Sequence, residues 1–340
     1  MPARVPPTPR RAAARARAAG ERRRLGLPDA AEAEIGVIGG SGLDDVDGLQ
    51  DVFEVRPRTP FGQPSDALVV GSLQGVRVAF LPRHGRGHRL APTDVPYRAN
   101  VYALKLLGVG RVIAVSACGS MREEIAPRDL VVPDQLVDRT TLRPRTFFGE
   151  GVVVHVAFAD PFCPVLSRRL AEDATAILRR EGRRVHVGGS YLAIEGPQFS
   201  TRAEAAIHRV WGVSVIGMTG SPEARLAREA ELCYALLAFA TDYDVWRPGS
   251  DDVTVEQVVA NLDANVRAAR EILAAFAARP ISADETCACD AALAGAVQTD
   301  PRAIDPARVR ELHLLLGADW VPGTDAGPAA ENAAPQLQPD

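Results

Sequence analysis

The sequence predicts an α/β fold in which helices cover a largely parallel or mixed sheet. Two observations carry this reading. Short runs rich in Val, Ile and Ala end in Gly, Pro, Asp or Ser, as buried strands do. Between several of them lie longer segments with apolar residues at helical spacing, and that alternation specifies a helix-covered sheet. The chain has 340 residues, 46% of them hydrophobic and 24% charged, which is enough apolar material for a core that can enclose a small molecule.

Ordered structure is expected from Glu34, with strands at 34–38, Ala67–Val70, Val76–Leu81, Val112–Ser116, Leu130–Val132, Val213–Met218 and Ala235–Ala240. Helices are expected at Tyr97–Leu107, which Gly108 stops, and at Pro164–Glu181, Thr201–Trp211, Pro222–Glu231 and Thr254–Ala277. Residues 1–33, rich in Pro, Ala and Arg, read as a disordered leader, and 318–340 as a disordered tail. The domain proper then spans 34–279, with a helical extension over 280–317. No internal repeat is present.

The net charge of −4 gives no general attraction for nucleic acid or an anionic membrane. Lys105 is the only lysine, so the arginine cluster Arg10, Arg11, Arg15, Arg17, Arg22, Arg23 and Arg24 reflects compositional bias and reads as a solvated segment. The leader lacks the apolar centre of a secretory signal, and no apolar stretch reaches the ~18 residues of a membrane span. The expected location is the cytoplasm. Five cysteines at irregular positions make no disulfide framework, and no pair has zinc-finger spacing, so no metal is expected.

Four polar loops end apolar strands, where open α/β sheets bind ligands. Gly39-Gly40-Ser41-Gly42 suits an anion through close backbone approach and the Ser41 hydroxyl, or is simply a tight turn. It lacks the third glycine of a dinucleotide fingerprint. Arg83-His84, directly at a strand end, offers a guanidinium fork with a histidine beside it, whereas Arg86 and Arg89 read as solvated. Ser116-Ala117-Cys118-Gly119-Ser120 supplies hydroxyls and room, with Cys118 a packing residue because no base is paired with it. Thr241-Asp242-Tyr243-Asp244 ends a fully apolar strand, and a desolvated carboxyl there has the raised pKa of a general acid. Metal coordination or helix capping are the other readings of that pair.

Together these loops resemble the methylthioadenosine phosphorylases of the purine nucleoside phosphorylase superfamily. The resemblance runs in order through Ile35–Leu43, Thr59–Asp66, Arg83–Arg86, Ser116–Ser120, Arg122–Ile125 and Asp138–Thr141, then Pro161–Pro164, Ile194–Ser200, Met218-Thr219 and Thr241–Asp244. It implies a single-domain nucleoside phosphorylase fold with a mixed central sheet flanked by helices. It also implies phosphorolysis of 5′-methylthioadenosine to adenine and 5-methylthioribose 1-phosphate, with phosphate as co-substrate and no cofactor. By the same resemblance Ser41, Arg83, His84, Ser116, Ala117 and Thr219 hold phosphate, while Phe199 and Met218 pack on purine and ribose. Asp242 is the catalytic acid; it and Asp244, with Tyr243 between them, meet the base. His155 reaches a neighbouring subunit's pocket, implying a trimer or hexamer, and Ser200 and Val255 tune specificity.

Two departures matter. Ser41 stands where the family has Thr and keeps the hydroxyl. Gly217 stands where the family has Asn, and relatives acting on 6-oxopurines carry Gly there, so a 6-oxopurine nucleoside phosphorylase is the nearest alternative. A lapsed nucleoside-binding protein is the non-enzymatic one. Beyond position 278 the match weakens; Cys287-Ala-Cys289 resembles a cysteine pair of some thermophilic members, read here as two free thiols because a disulfide at that spacing is strained.

Overall fold

The computed structural model of the chain describes residues 8–40, 43, 48–247, 255–279 and 285–317, with backbone alone for 255–260. In chain order the strands are β1 Ile35–Gly39, β2 Gln50–Val55, β3 Leu68–Leu73, β4 Val76–Pro82, β5 Arg111–Ser120 and β6 Leu130–Val132. They continue with β7 Gln135–Asp138, β8 Val185–Val187, β9 Ser190–Ala193, β10 Val215–Gly217 and β11 Cys233–Asp242. The helices are α1 Pro9–Arg24, α2 Tyr97–Leu106, α3 Pro164–Leu178, α4 Arg202–Val210, α5 Glu223–Glu229, α6 Val255–Ala278 and α7 Pro306–Leu316.

All eleven strands join one mixed sheet, with β5 at its centre. There β4, β1, β5 and β11 lie side by side and parallel. Their carboxyl ends therefore face the same way, which is what brings the polar loops together. Alternation along the strands divides the core. Val112 and Ala114 of β5 and Tyr234, Leu236 and Ala238 of β11 point to the face covered by α2 and α5. Ile113, Val115, Ala235, Leu237 and Phe239 point to the face covered by α3 and α6. Both faces being buried explains why these strands read as continuous apolar runs.

The expectation of a disordered leader is corrected for residues 9–24, which form α1; residues 1–7 and 318–340 lie outside the described residues. Thr8 caps the helix by accepting from the Arg11 N–H at 3.2 Å, Pro9 occupies its first turn, and Ala and Arg are strong helix formers. Arg22 is fully buried, donating to the Leu106 carbonyl at 3.0 Å and to Glu32 at 2.7 Å. The helix packs on α2 and α7, with Ala18 in the core. Arginine bias was thus a poor guide: a guanidinium with a carbonyl and a carboxylate waiting for it can be buried. Deleting residues 1–24 is accordingly expected to cost ~2–3 kcal/mol and lower Tm by ~5–10 °C in a calorimetric scan, from the typical slope for domains of this size. An unchanged Tm would show that α1 contributes nothing.

Candidate active site

The loops leaving β1, β4, β5, β10 and β11 close around one cavity of about 290 Å³, near the lower end of small-molecule pockets, which start at ~300 Å³. Gly40, Arg83, His84, Ser116, Ala117, Thr219, Met218, Phe199, Ser200, Asp242 and Asp244 all line it. Gly39 and Gly40 are required by packing: a Cβ would lie 2.2 Å from the Leu43 carbonyl oxygen at Gly39, and 2.7 Å from that of Val115 at Gly40. Ser41 lies outside the described residues, as does the side chain of Val255, the first residue of α6.

One pole of the cavity is built to hold an anion. The Arg83 guanidinium is fully buried and clamped by Glu223, with Nε and Nη2 both donating to that carboxylate and Nη1 donating to the Val115 carbonyl at 3.0 Å. Burial opposes its charge, and the facing Glu223 carboxylate more than offsets this, so Arg83 stays charged. A guanidinium has five N–H groups. Three are used, which leaves one on each terminal nitrogen for a ligand. Next to it Ser116 Oγ lies 2.9 Å from Thr219 Oγ1 and 3.2 Å from the Tyr191 hydroxyl, which is itself 3.3 Å from Thr219 Oγ1.

His84 completes this pole in an unexpected state. Its Nδ1 donates to the Leu90 carbonyl at 2.9 Å, because a carbonyl can only accept. Burial and the adjacent Arg83 charge push the imidazole down to about 4, so at neutral pH Nε2 is an acceptor. It suits the hydroxyl of a monoprotonated phosphate better than a bare oxyanion. The His88 ring stacks on His84 at 4.4 Å.

At the other pole, β11 carries a bulge between Ala240 and Asp242 that brings Asp242 beside Gly119. A Cβ at Gly119 would sit 3.1 Å from Asp242 Oδ1 and 3.3 Å from Asp244 Cβ, so glycine makes room for the pair. The two carboxylates are not equivalent. Asp242 accepts from the Thr241 hydroxyl at 2.6 Å and the Asp244 N–H at 2.7 Å, which occupies both oxygens. Asp244 adopts a left-handed φ of 53°, which aspartate tolerates, and its buried Oδ2 has no partner among the described residues. Burial raises both, and the Asp242 charge helps push Asp244 up to about 6. The carboxylate with an open oxygen is therefore Asp244, while Asp242, singled out from sequence, has both oxygens engaged. Cys118, against this pole, is a buried neutral thiol whose pKa burial raises, as its packing role required.

Two expected residues lie elsewhere. Tyr243 does not line the cavity; its hydroxyl donates to the Glu123 carbonyl at 3.4 Å and its ring meets Trp246 edge-on, as alternation at a strand end dictates. His155 also lies outside the cavity and is exposed, its N–H held by the Ala296 carbonyl at 2.9 Å.

Sequence reasoning missed four residues: Glu223, Tyr191, His88 and Arg143. Arg143 donates to the carbonyls of Met218 (2.7 Å), Ser221 (3.0 Å), Ile194 (3.2 Å) and Glu195 (2.7 Å), and its Nε to the Glu195 carboxylate at 2.9 Å. Two wall segments, 194–195 and 218–221, thus share one buried cation. Burial would raise Glu195, yet the Thr141 and Leu142 N–H groups, Thr93 and Arg143 hold it down to about 2. Arg143 lies in a loop with no strand or helix signal, and its partners, mostly backbone carbonyls, belong to remote segments.

Gly217 also finds its reason here. A Cβ at that position would lie 2.0 Å from the Tyr191 hydroxyl oxygen and 2.8 Å from Cζ. Glycine is thus demanded by Tyr191, independently of the base. Gly217→Ala should displace Tyr191 from Ser116 and Thr219, at an overpacking cost of ~1–3 kcal/mol. The expected readout is a rise of about tenfold in the phosphate KM; an unaltered KM would disconnect Tyr191 from the anion pole.

Residues 34–278 match the phosphorylase superfamily. The S-methyl-5′-thioadenosine phosphorylase of Geobacter sulfurreducens is 55% identical over 289 residues, covering 84% of this chain and 99% of the relative. That of Chloroflexus aurantiacus is 54% identical over 290 residues, covering 85% and 99%. Among solved structures, a methylthioadenosine phosphorylase from an antarctic soil metagenomic library superposes with a TM-score of 0.78 at 44% identity, covering 84% of this chain and 99% of that one. The Schistosoma mansoni enzyme in complex with adenine does so with a TM-score of 0.72 at 37% identity, covering 78% and 99%. With this agreement of sequence and fold, the chain belongs to the phosphorylase superfamily and, within it, to the methylthioadenosine phosphorylases.

Proposed function

We propose that the chain catalyses phosphorolysis of 5′-methylthioadenosine, giving adenine and 5-methylthioribose 1-phosphate. The observation that carries this is a single cavity with a clamped guanidinium and two hydroxyls at one end and two unequal carboxylates at the other. Breaking an N-glycosidic bond puts positive charge on the ribose and negative charge on the leaving purine. Phosphate on Arg83, Ser116 and Thr219 faces the developing cation and then bonds to its anomeric carbon. Asp244 donates a proton to N7 as the base departs, and Asp242, fixed by its two donors, holds the loop and accepts from the 6-amino group. Phe199 and Met218 cover the base and sugar. Neither a metal nor an organic cofactor has a part in this chemistry.

The 6-oxopurine alternative weakens because Gly217, its main support, answers to Tyr191. Assembly as a homotrimer or a multiple of it, working in the cytoplasm, rests on the exposed His155 and on the family resemblance. Adenine release from methylthioadenosine, followed with and without phosphate and beside inosine, tests the reading. Phosphate-independent release would mean hydrolysis, and faster inosine cleavage would mean the 6-oxo alternative.

A further inference from the structure

Four of the five cysteines converge at a place the reaction does not use. Cys163 caps the N-terminus of α3, Cys233 opens β11, and Cys287 and Cys289 follow α6 in the C-terminal extension. Their Sγ atoms all lie within 4.8 Å of one another, and those of Cys233 and Cys287 are 3.3 Å apart. All four are free thiols; three are buried and Cys287 is half-buried. Four neutral thiols would give such a cluster little reason to form, since S–H groups are weak donors and acceptors.

The surroundings direct N–H donors at the sulfurs. Arg11 Nη2 donates to Cys233 Sγ at 2.8 Å and to Cys287 Sγ at 3.4 Å, and the Leu166 N–H points at Cys163 Sγ from the first turn of α3 at 3.5 Å. A tetrahedral ion with metal–sulfur bonds of ~2.3 Å needs sulfurs ~3.8 Å apart, which this cluster can meet with small shifts.

We propose that Cys163, Cys233, Cys287 and Cys289 bind one zinc ion as a structural tetrathiolate site. The thiols release their protons as the ion binds and no electrons move, so no oxidant is needed. Four thiolates and one divalent cation leave a charge of −2, which Arg11, shared with Asp290 at 3.6 Å, offsets in part. Cys233 and Asp242 stand at opposite ends of β11, about 30 Å apart at ~3.3 Å per residue, so the ion takes no part in catalysis. Its role is to fasten three separate pieces, α1 through Arg11, α3 and the extension, onto the sheet. The extension in turn holds the segment around His155 through Gln298 N–H to the Val153 carbonyl and His155 N–H to the Ala296 carbonyl, both 2.9 Å.

The test uses the full chain, purified anaerobically without metal-affinity resin. Elemental analysis should find one zinc per chain, and the denatured, chelated protein should show all five thiols. Exchange with Co²⁺ should give the intense sulfur-to-metal absorption of a tetrahedral thiolate site. Cys287→Ser and Cys289→Ser should lose that signal, and chelation of the wild-type protein should lower its Tm. Two disulfides and a single free thiol in the anaerobic protein would overturn the proposal. So would five free thiols that take up neither Zn²⁺ nor Co²⁺, or metal whose amount the cysteine variants leave unchanged. The wild-type measurements decide the matter even where a variant fails to fold.

Discussion

Arg83→Met lowers kcat/KM for phosphate by two to three orders of magnitude or more, because the lost guanidinium supplied two N–H groups with no acceptor among the described residues. Removing one preorganised donor from a site of developing charge costs ~2.7–4 kcal/mol. The same substitution strips Glu223 of its partner in a place with 1% exposure, a loss of ~3–5 kcal/mol in stability when a buried pair is broken from one side. The two effects separate in a double variant. Glu223→Gln keeps an acceptor for the Tyr234 hydroxyl, which lies 2.8 Å from the carboxylate, and removes the orphaned charge. Arg83→Met/Glu223→Gln should therefore regain most of the lost Tm and none of the phosphate affinity. Steady-state kinetics over a phosphate series, beside a thermal scan of each variant, reads both. A single variant with the wild-type phosphate KM would take Arg83 out of the site.

What the sequence made legible follows from what burial does to composition. β1, β4, β5 and β11 are covered on both faces, so each is a continuous apolar run whose end is marked by the polar residue that faces the cavity. Arg83, Ser116 and Asp242 were found that way. By contrast β2 is mostly exposed and β8 has three residues, so neither carries an apolar pattern. The residues that were missed act through partners far along the chain. Glu223 is 140 residues from Arg83 and Tyr191 is 75 from Ser116, separations at which spacing carries no information. The cysteine cluster escaped for the same reason, since one-residue spacing describes Cys287 and Cys289 but says nothing of Cys163 or Cys233. Gly217 was legible and misattributed: a glycine can be demanded by a neighbour's hydroxyl as readily as by a ligand.

The base pole gives the second large effect. Adenine presents an acceptor at N7 and a donor at its 6-amino group, so a pair of carboxylates holding a single proton matches it: one donates and the other accepts. A 6-oxopurine presents acceptors at both places and would need both groups protonated. With Asp244 raised to about 6, the pair carries its proton on the acid side of that value, and a bound phosphate dianion in the same cavity pushes the titration higher. The sign is fixed: the acid is lost as pH rises, so kcat/KM for methylthioadenosine should fall through a limb at or above pH 6. Asp244→Asn should remove that limb and lower kcat/KM by ~10²–10⁴-fold, the range of general acid catalysis. An amide can also donate to O6, so relative preference for inosine should rise in this variant. Asp242→Asn should behave differently, because it replaces an acceptor of the Asp244 N–H and the Thr241 hydroxyl with a donor facing one of them, and so disturbs the loop itself. It should keep the pH limb while losing Tm. If the limb instead disappears in Asp242→Asn and survives in Asp244→Asn, the acid is Asp242 and the open oxygen of Asp244 only recognises the amino group.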